Sequence, residues 1–518
     1  MSLARDITTV GSGTLMSRLL GFARDSWIAA LLGAGPFSEA FFAVLQLINF
    51  FRRLLADGAL NSAFVPIWLA LRNGEDGPAN ANRFTKRSLV TVGCITGIVA
   101  LLVIVFAPLV AAVIAPGFDE GRRELVNFYL RLAAPYIVLA GLVAVVAAAL
   151  NAEGRVGAVT ISAVVFNLVI LLALVFVMDE AHQFVTSTWL AAAIVVAGVI
   201  QLVIAGITWL ATGKRLSRVT VRVPDRTRLL FARAIPGLIA TGIPQLKLIA
   251  GAAIASSSAA GVSWLYYANR LYELPLGVAS IVIAAVVVPR IAASLRDGDD
   301  ESFTLTQSRT FEITLGLALP AAAGFALLAG PIAGGLFERG AFGPGDTAAV
   351  AAALAAICAG LPGHVLEKVF GAVSFAQGDT HTPMLAALCG LAAAIAGGML
   401  LFPHYGHVGV AAAIAISGWV GAVLLGLILY GRGWLRLDPL AVRRLPRIVL
   451  ATLVMGAAVF YGLALGHALW PALASALMGR VILLAILVVL GIAIYLAALH
   501  MLGVAKLKDL VAAARQRS

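Results

Sequence analysis

Residues 88–115 read SLVTVGCITGIVALLVIVFAPLVAAVIA, with no charged side chain anywhere in the run. An α-helix needs roughly 20 apolar residues to cross a ~30 Å hydrocarbon core, and this stretch exceeds that length. Lipid offers no partner for a backbone N–H or C=O, so such a run crosses as a helix, which satisfies those groups internally. Working outward with the same criterion gives fourteen spans, near 7–33, 37–71, 88–115, 125–151, 156–178, 187–212, 235–256, 260–289, 310–336, 347–372, 382–402, 408–431, 448–470 and 479–503. The first two contain charges that hydropathy alone would reject.

The whole composition agrees with that reading. Of 518 residues, 61% are hydrophobic and 12% charged, and the mean hydropathy is +0.99. Soluble chains carry roughly 25% charged residues, so division into two or three water-soluble domains is excluded, and the fold class is an all-α polytopic membrane protein. The 52 glycines and 20 prolines imply helices that bend where neighbours or water satisfy freed backbone groups. Cys94, Cys358 and Cys389 lie far apart in apolar segments and read as small core residues, without disulfide or metal spacing. The first apolar run is interrupted by Arg18, Arg24 and Asp25, unlike a cleavable signal peptide.

A net charge of +12 would suggest nucleic acid in a soluble protein, but here its placement speaks of topology, and no nucleic-acid partner is expected. Threading the spans alternately puts Arg72, Arg83, Lys86, Arg87, Arg155, the run Lys214 to Arg233, Arg290, Arg296, Arg309, Arg432 to Arg447 and the basic tail on one side. The other side holds only Arg122, Arg123, Arg339 and Arg480. By the positive-inside rule both termini are cytoplasmic.

The basic linker divides the chain into an N-terminal lobe at 1–213 (spans 1–6), an interfacial amphipathic segment at 214–233, a C-terminal lobe at 234–432 (spans 7–12) and a region at 433–518 holding spans 13 and 14 with the tail. The second span of each half has a similar texture. Phe41-Phe42 leads through Asn49, Arg52 and Arg53 to Pro66, and Trp264 to Tyr267 leads through Asn269, Arg270 and Glu273 to Pro289. This weak repeat fits two six-helix lobes related by an axis along the membrane normal, with a central cavity between them.

Eight basic residues remain inside spans: Arg18, Arg24, Arg52, Arg53, Arg131, Lys247, Arg270 and Lys368. The acids there are Asp25, Glu39, Asp57, Glu273, Glu312 and Glu367. Each charge near a helix centre costs about 2.5–3.5 kcal/mol on insertion scales, so these positions need partners or water. Asn49, Arg53 and Asp57 step by four along one stripe, and Arg270 and Glu273 are three apart. Structural salt bridges explain any single pair, but they do not require four arginines in the first two spans. An anionic substrate does, because the guanidinium fork suits phosphate. No phosphate-binding glycine loop, Ser-His-Asp arrangement or metal-ligand spacing stands in the sequence, which argues against an enzyme such as a membrane-embedded transferase.

The stretch Ser17 to Asp25 (SRLLGFARD), with Phe41-Phe42, Asn49, Arg52-Arg53-Leu54, Asp57-Gly58-Ala59 and Ala63 to Pro66, resembles the MurJ (MviN-like) family of lipid II flippases. That family belongs to the multidrug, oligosaccharidyl-lipid and polysaccharide exporter superfamily. The similarity continues through Ala115 to Phe118, Tyr266 to Leu271, Glu273 to Val278, Leu336 to Phe342 and Asp379 to Pro383. The resemblance implies fourteen helices, a groove for a lipid tail at helices 13 and 14, and movement of lipid-linked peptidoglycan precursor across the bacterial inner membrane by a monomer among membrane lipids.

It also implies that Arg18, Arg24, Arg52, Arg270, Asn49, Glu39 and Glu273 lie in the cavity. From the charges themselves, Arg18, Arg24, Arg52 and Arg270 are expected to contact the diphosphate, supported by Asp25, Glu39, Asn49, Arg53, Asp57, Asn269 and Glu273. The acids are expected to hold these arginines in position. Glu39 stands where Asp is common, Asp57 where Glu is usual, and Asn269 where an Asp often precedes the Arg. Some members bind sodium through an Asp matching Asp379, but Phe375 offers no ligand one turn earlier, and neither a metal nor a cofactor is assigned. Coupling to the membrane potential or to an ion stays open, as do two neighbouring readings, an exporter of another lipid-linked oligosaccharide or of a drug cation. The arginine excess disfavours a cation.

Overall fold

The computed structural model describes residues 2–56, 59–74, 77–155, 157–178, 182–212, 230, 242–284, 288–296, 300–469 and 477–504. Regular structure among the described residues is helical throughout. The chain forms two compact units. One contains Met1–Ser263 with Arg339–Phe342, the other Trp264–Glu338 with Gly343–Ser518. The dividing point after Ser263 falls inside a helix. The basic linker 214–233, apart from Leu230, lies outside the described residues.

The first unit holds α1 (Ser2–Leu32), α2 (Pro36–Ala56), α3 (Ala59–Arg72), α4 (Gly77–Val105), α5 (Ala107–Ile114), α6 (Glu120–Ala133), α7 (Pro135–Ala152), α8 (Gly157–Phe176) and α9 (Gln183–Leu210). α10 (Gly242–Ala255) follows, then the first residues of α11 (Gly261–Val282). Proline sets the joints: Pro108 lies at the start of α5 and Pro135 at the start of α7, where a missing N–H breaks no helical hydrogen bond. The apolar residues of α3, α4, α7 and α9 close a core around Phe64, Trp68, Phe84, Leu150 and Trp209. The indole N–H of Trp68 is satisfied by Thr85 Oγ1 at 3.1 Å.

Arg339–Phe342 joins this unit through the end of α1. Ala341 N–H donates to Ala30 O at 2.8 Å, and Arg339 Nη2 donates to Ser26 Oγ at 2.7 Å. Two glycines make the approach possible. Gly33 and Gly340 both have positive φ, +60° and +58°, a region side chains avoid, and a Cβ at Gly33 would stand 2.5 Å from Ala341 O.

The second unit continues α11 and adds α12 (Val288–Arg296), α13 (Asp300–Leu327), α14 (Ala329–Phe337), α15 (Pro344–Cys358), α16 (Leu361–Ala376), α17 (His381–Gly431), α18 (Pro439–Leu469) and, as α19, Leu477–Met501. α17 is a hairpin. At Gly406 the backbone leaves the helical region with φ 56° and ψ −139°, three residues after Pro403. The arms 381–405 and 407–431 are each about 37 Å long, enough to cross a bilayer core, and Gly397 packs against Ala413 between them. Their open ends are joined by an ion pair of Asp379 with Arg432. α18 and α19 pack on α13 around Leu328, Ile448, Met455, Val459, Leu487 and Tyr495, and Tyr495 Oη donates to Gly316 O at 2.7 Å.

Nine helices among the described residues, counting runs that pass through a short break as one, are long and apolar enough to cross a membrane. The hairpin supplies two of the fourteen spans. The remaining four correspond to α1, α8, α10 and α11. α1 and α11 carry Arg18, Arg24, Asp25, Arg270 and Glu273, and α8 and α10 count only as shorter apolar helices over their described cores.

Candidate functional site

In the first unit two intramembrane arginines, Arg24 and Arg52, meet on α8, which carries no charge itself. Arg24 is 5% exposed and Asp25 fully buried. Nε and Nη2 of Arg24 donate to Asp25 Oδ1 at 2.9 and 2.7 Å, and Nη1 donates to Asn167 Oδ1 at 3.0 Å. Asn167 is itself held, its Nδ2 donating to Ser17 O at 3.0 Å and Ala163 O at 3.2 Å. Its amide therefore ties α8 to both ends of the Ser17–Asp25 segment and fixes the plane of the guanidinium. One residue earlier, the ring of Phe166 lies 5.8 Å from Arg52 Cζ, within cation–π reach. Arg52 Nε donates to Asn49 Oδ1 at 3.2 Å. One turn of α8 thus brings together an arginine from α1 and another from α2.

Arg18 is half-buried and makes no hydrogen bond or ion pair to another described residue. Arg53 is half-buried as well, and Asp57 lies outside the described residues.

Glu39 engages a different partner from the one expected. Its Oε2 accepts from Arg122 Nη1 at 2.7 Å, and its Oε1 accepts from the Val262 backbone N–H at 3.0 Å. Arg122, which charge placement assigns to an external loop, also bonds Asp119 Oδ2 through Nε at 2.9 Å and covers the Phe118 ring. The physical reason is position. Glu39 sits in the first turn of α2, and its carboxylate meets the N–H groups opening α11, which lack an intrahelical partner. Ser38 Oγ lies 3.1 Å from Ser263 Oγ alongside. Asp119 caps α6, and the Arg122 backbone N–H, with its side chain, holds the Asp119 carboxyl below its ordinary value.

In the second unit α11 carries Asn269, Arg270 and Glu273, all half-buried. Arg270 Nη1 donates to Glu273 Oε2 at 3.3 Å, as their three-residue spacing implies. Tyr272 Oη lies 2.9 Å from His364 Nδ1 of α16. Trp264 near the start of α11 donates to Asp346 Oδ1 at 2.9 Å, and its ring lies 4.7 Å from that of His407, tilted by 51°.

Asp379 accepts from the His381 and Thr382 backbone N–H groups, from Thr382 Oγ1 and from Arg432. Those donors hold the carboxylate as a helix anchor. No group of three or more His, Cys, Asp or Glu side chains suited to a metal occurs among the described residues.

Asn167 and Phe166 escaped a reading that followed charge alone. The available signal was an amide, the one Asn or Gln in the apolar run 156–178.

Comparison with known proteins places these features in a family. The family described as "Lipid II flippase MurJ" matches residues 28–481. A probable lipid II flippase MurJ of Rhizobium tropici is 36% identical over 516 residues, covering 97% of this chain and 95% of the relative. The lipid II flippase MurJ of Burkholderia cenocepacia is 29% identical over 515 residues, covering 97% and 98%. Among solved structures, a lipid II flippase MurJ in an inward closed conformation aligns with a TM-score of 0.79 at 21% identity over 97% of this chain and 99% of that one. An inward-facing multidrug resistance transporter of the MATE family aligns at 0.67 and 16% identity over 80% and 94%. The last two likenesses speak for the fold. By sequence along nearly its whole length, the chain belongs to the lipid II flippase MurJ family, whose members are transporters.

Proposed function

We propose that this protein moves lipid II from the cytoplasmic to the external leaflet of a bacterial inner membrane by alternating access, with both of its termini in the cytoplasm. The family match over residues 28–481 is the observation that carries this reading. Lipid II joins a sugar-peptide headgroup to a polyprenyl tail through a diphosphate. The tail is at home in hydrocarbon, so the protein has only the headgroup to shield.

Arg18, Arg24, Arg52 and Arg270 are assigned to the diphosphate. Two of them are supported by geometry suited to that role: Arg24 is oriented by Asp25 and Asn167, and Arg52 by Asn49 and Phe166. Holding a guanidinium plane in advance lowers the ordering cost of a bidentate contact. Arg270 is steadied by Glu273.

Intramembrane cations outnumber anions by two, close to what a diphosphate neutralises. In a membrane negative inside, the empty carrier is favoured to return inward, by up to ~2.3 kcal/mol per charge per 100 mV if the charge crossed the full field. The potential is thus the proposed driving force, without nucleotide.

Depleting the protein in its host tests the reading. Polyprenyl diphosphate carrying the sugar-peptide should accumulate on the cytoplasmic side, and accumulation of a different lipid-linked glycan would overturn it. In the same host, Arg270→Ala should fail to complement at matched membrane levels. Adding Glu273→Ala should not restore growth if Arg270 meets substrate, whereas a purely structural pair predicts rescue.

A further inference from the structure

Lys368 is a cation inside the membrane span formed by α15 and α16 that none of the assignments above uses. It lies on α16 about 12 Å from the end of the helix at Ala376, and its neighbours Val365, Val369, Phe370 and Gly371 are buried. The Lys368 side chain is nevertheless not covered by protein, although protein packs densely around its position. It makes no hydrogen bond or close ion pair to another described residue, and the neighbouring Glu367 carboxylate acts on it only through space. The polar groups beside it are differently placed. His364, one turn earlier on the same face, bonds Tyr272 of α11 and lies against Gly418, where a Cβ would stand 2.6 Å from its ring. Glu367 packs on Gly421, where a Cβ would stand 2.7 Å from its carboxyl. Two glycines of α17 therefore seat His364 and Glu367, while Lys368, one turn beyond His364, is an exposed residue on the helix face that reaches α11 through Tyr272.

A bare ammonium facing hydrocarbon is costly, and such residues turn instead to water-filled pathways and mark the route of a substrate. Lysine serves phosphate and carboxylate groups as a mobile point charge, without the fixed fork of arginine. We propose that Lys368 contacts an anionic group of the transported headgroup, either its diphosphate or a carboxylate of its peptide, as a cation additional to the four arginines. This inference rests on the flippase reading and names a further contact for the same substrate.

The test uses the purified full-length wild-type protein in nanodiscs. A small water-soluble acylating reagent modifies accessible amines, and mass spectrometry reports the rate at Lys368. Two probes are compared, polyprenyl diphosphate alone and polyprenyl diphosphate carrying the sugar-peptide. Protection of Lys368 at least fivefold by both probes assigns the contact to the diphosphate. Protection by the second alone assigns it to the peptide carboxylates. An acylation rate unchanged by either probe, with both shown to bind, overturns the contact and leaves the flippase reading standing. Failure of the wild type to bind either probe sinks both. As a second measurement, Lys368→Gln should weaken binding of the protecting probe about tenfold, and Lys368→Arg should stay within about threefold of wild type. Equal affinity for Lys368→Gln would overturn the proposal.

Discussion

At the scale of single residues, an uncharged amide, Asn167, links the buried Arg24 to the backbone of α1 and α8. Arg24 and Arg52 announce themselves because a charge in an apolar run is expensive. Asn167 carries no charge, yet it contributes an acceptor to Arg24 and donors to Ser17 and Ala163. Hydrogen bonds to a charged group are worth about 1.5–3 kcal/mol, so Asn167→Leu should lower both thermal stability and transport. Asn167→Asp adds the effect of charge. It keeps the acceptor for Arg24 but loses the donors to Ser17 O and Ala163 O and adds a negative charge beside a guanidinium already paired with Asp25, so the pocket repels a diphosphate. The melting temperature should fall for both variants, whereas transport, at least tenfold below wild type for Asn167→Asp, should be lower for Asn167→Asp than for Asn167→Leu. Complementation at matched membrane levels together with thermal unfolding of the purified variant decides it. Retained transport by Asn167→Asp would remove Asn167 and Arg24 from the substrate path.

At the scale of elements, spacing within one helix was readable and pairing between helices was not. The Arg270–Glu273 pair follows from an i, i+3 interval. Glu39 with Arg122 joins residues 83 apart, and no periodicity reports such a pair. The hairpin is an intermediate case. Its two spans were visible as apolar runs separated by a short turn, whereas the Asp379–Arg432 closure depends on folding.

That closure makes a pH prediction. Hydrogen bonds from Thr382, His381 and Arg432 hold the Asp379 carboxyl below its usual range, so the folded state binds its proton less readily than the unfolded chain. The stabilisation is present above the unfolded value near 3.9 and fades as pH falls through the lower folded value. Asp379→Asn should therefore lower the melting temperature at pH 7, by an amount corresponding to about 1 kcal/mol for a lost helix-end contact. The difference from wild type should shrink as acid protonates Asp379. A constant difference down to pH 3 would show that shape, and not charge, closes the hairpin.

At the scale of the whole molecule, composition alone established a polytopic helical protein, and the motif at Ser17–Asp25 pointed to the family. Breaks within spans were less evident, because Pro135 and Gly406 interrupt runs whose hydropathy is continuous. Orientation is open to direct measurement. Reporters or single cysteines at His182 and Gly345 should be reached by impermeant reagents from outside intact cells, and those at Ser217 and Ser518 should be reached only after permeabilisation. Labelling of Ser217 from outside would refute the threading.

The hairpin of α17 also sets a clock on biosynthesis. Its closing partners are 53 residues apart, and a ribosome adds roughly 5–20 residues per second, so Asp379 precedes Arg432 by about 3–10 s. During that interval the first arm has emerged without the guanidinium that will clasp its end. The insertion machinery, or the helices already inserted, must hold it in register until the second arm arrives. A synonymous change that slows translation between these codons would therefore lengthen exposure of an open hairpin without altering one atom of the finished protein.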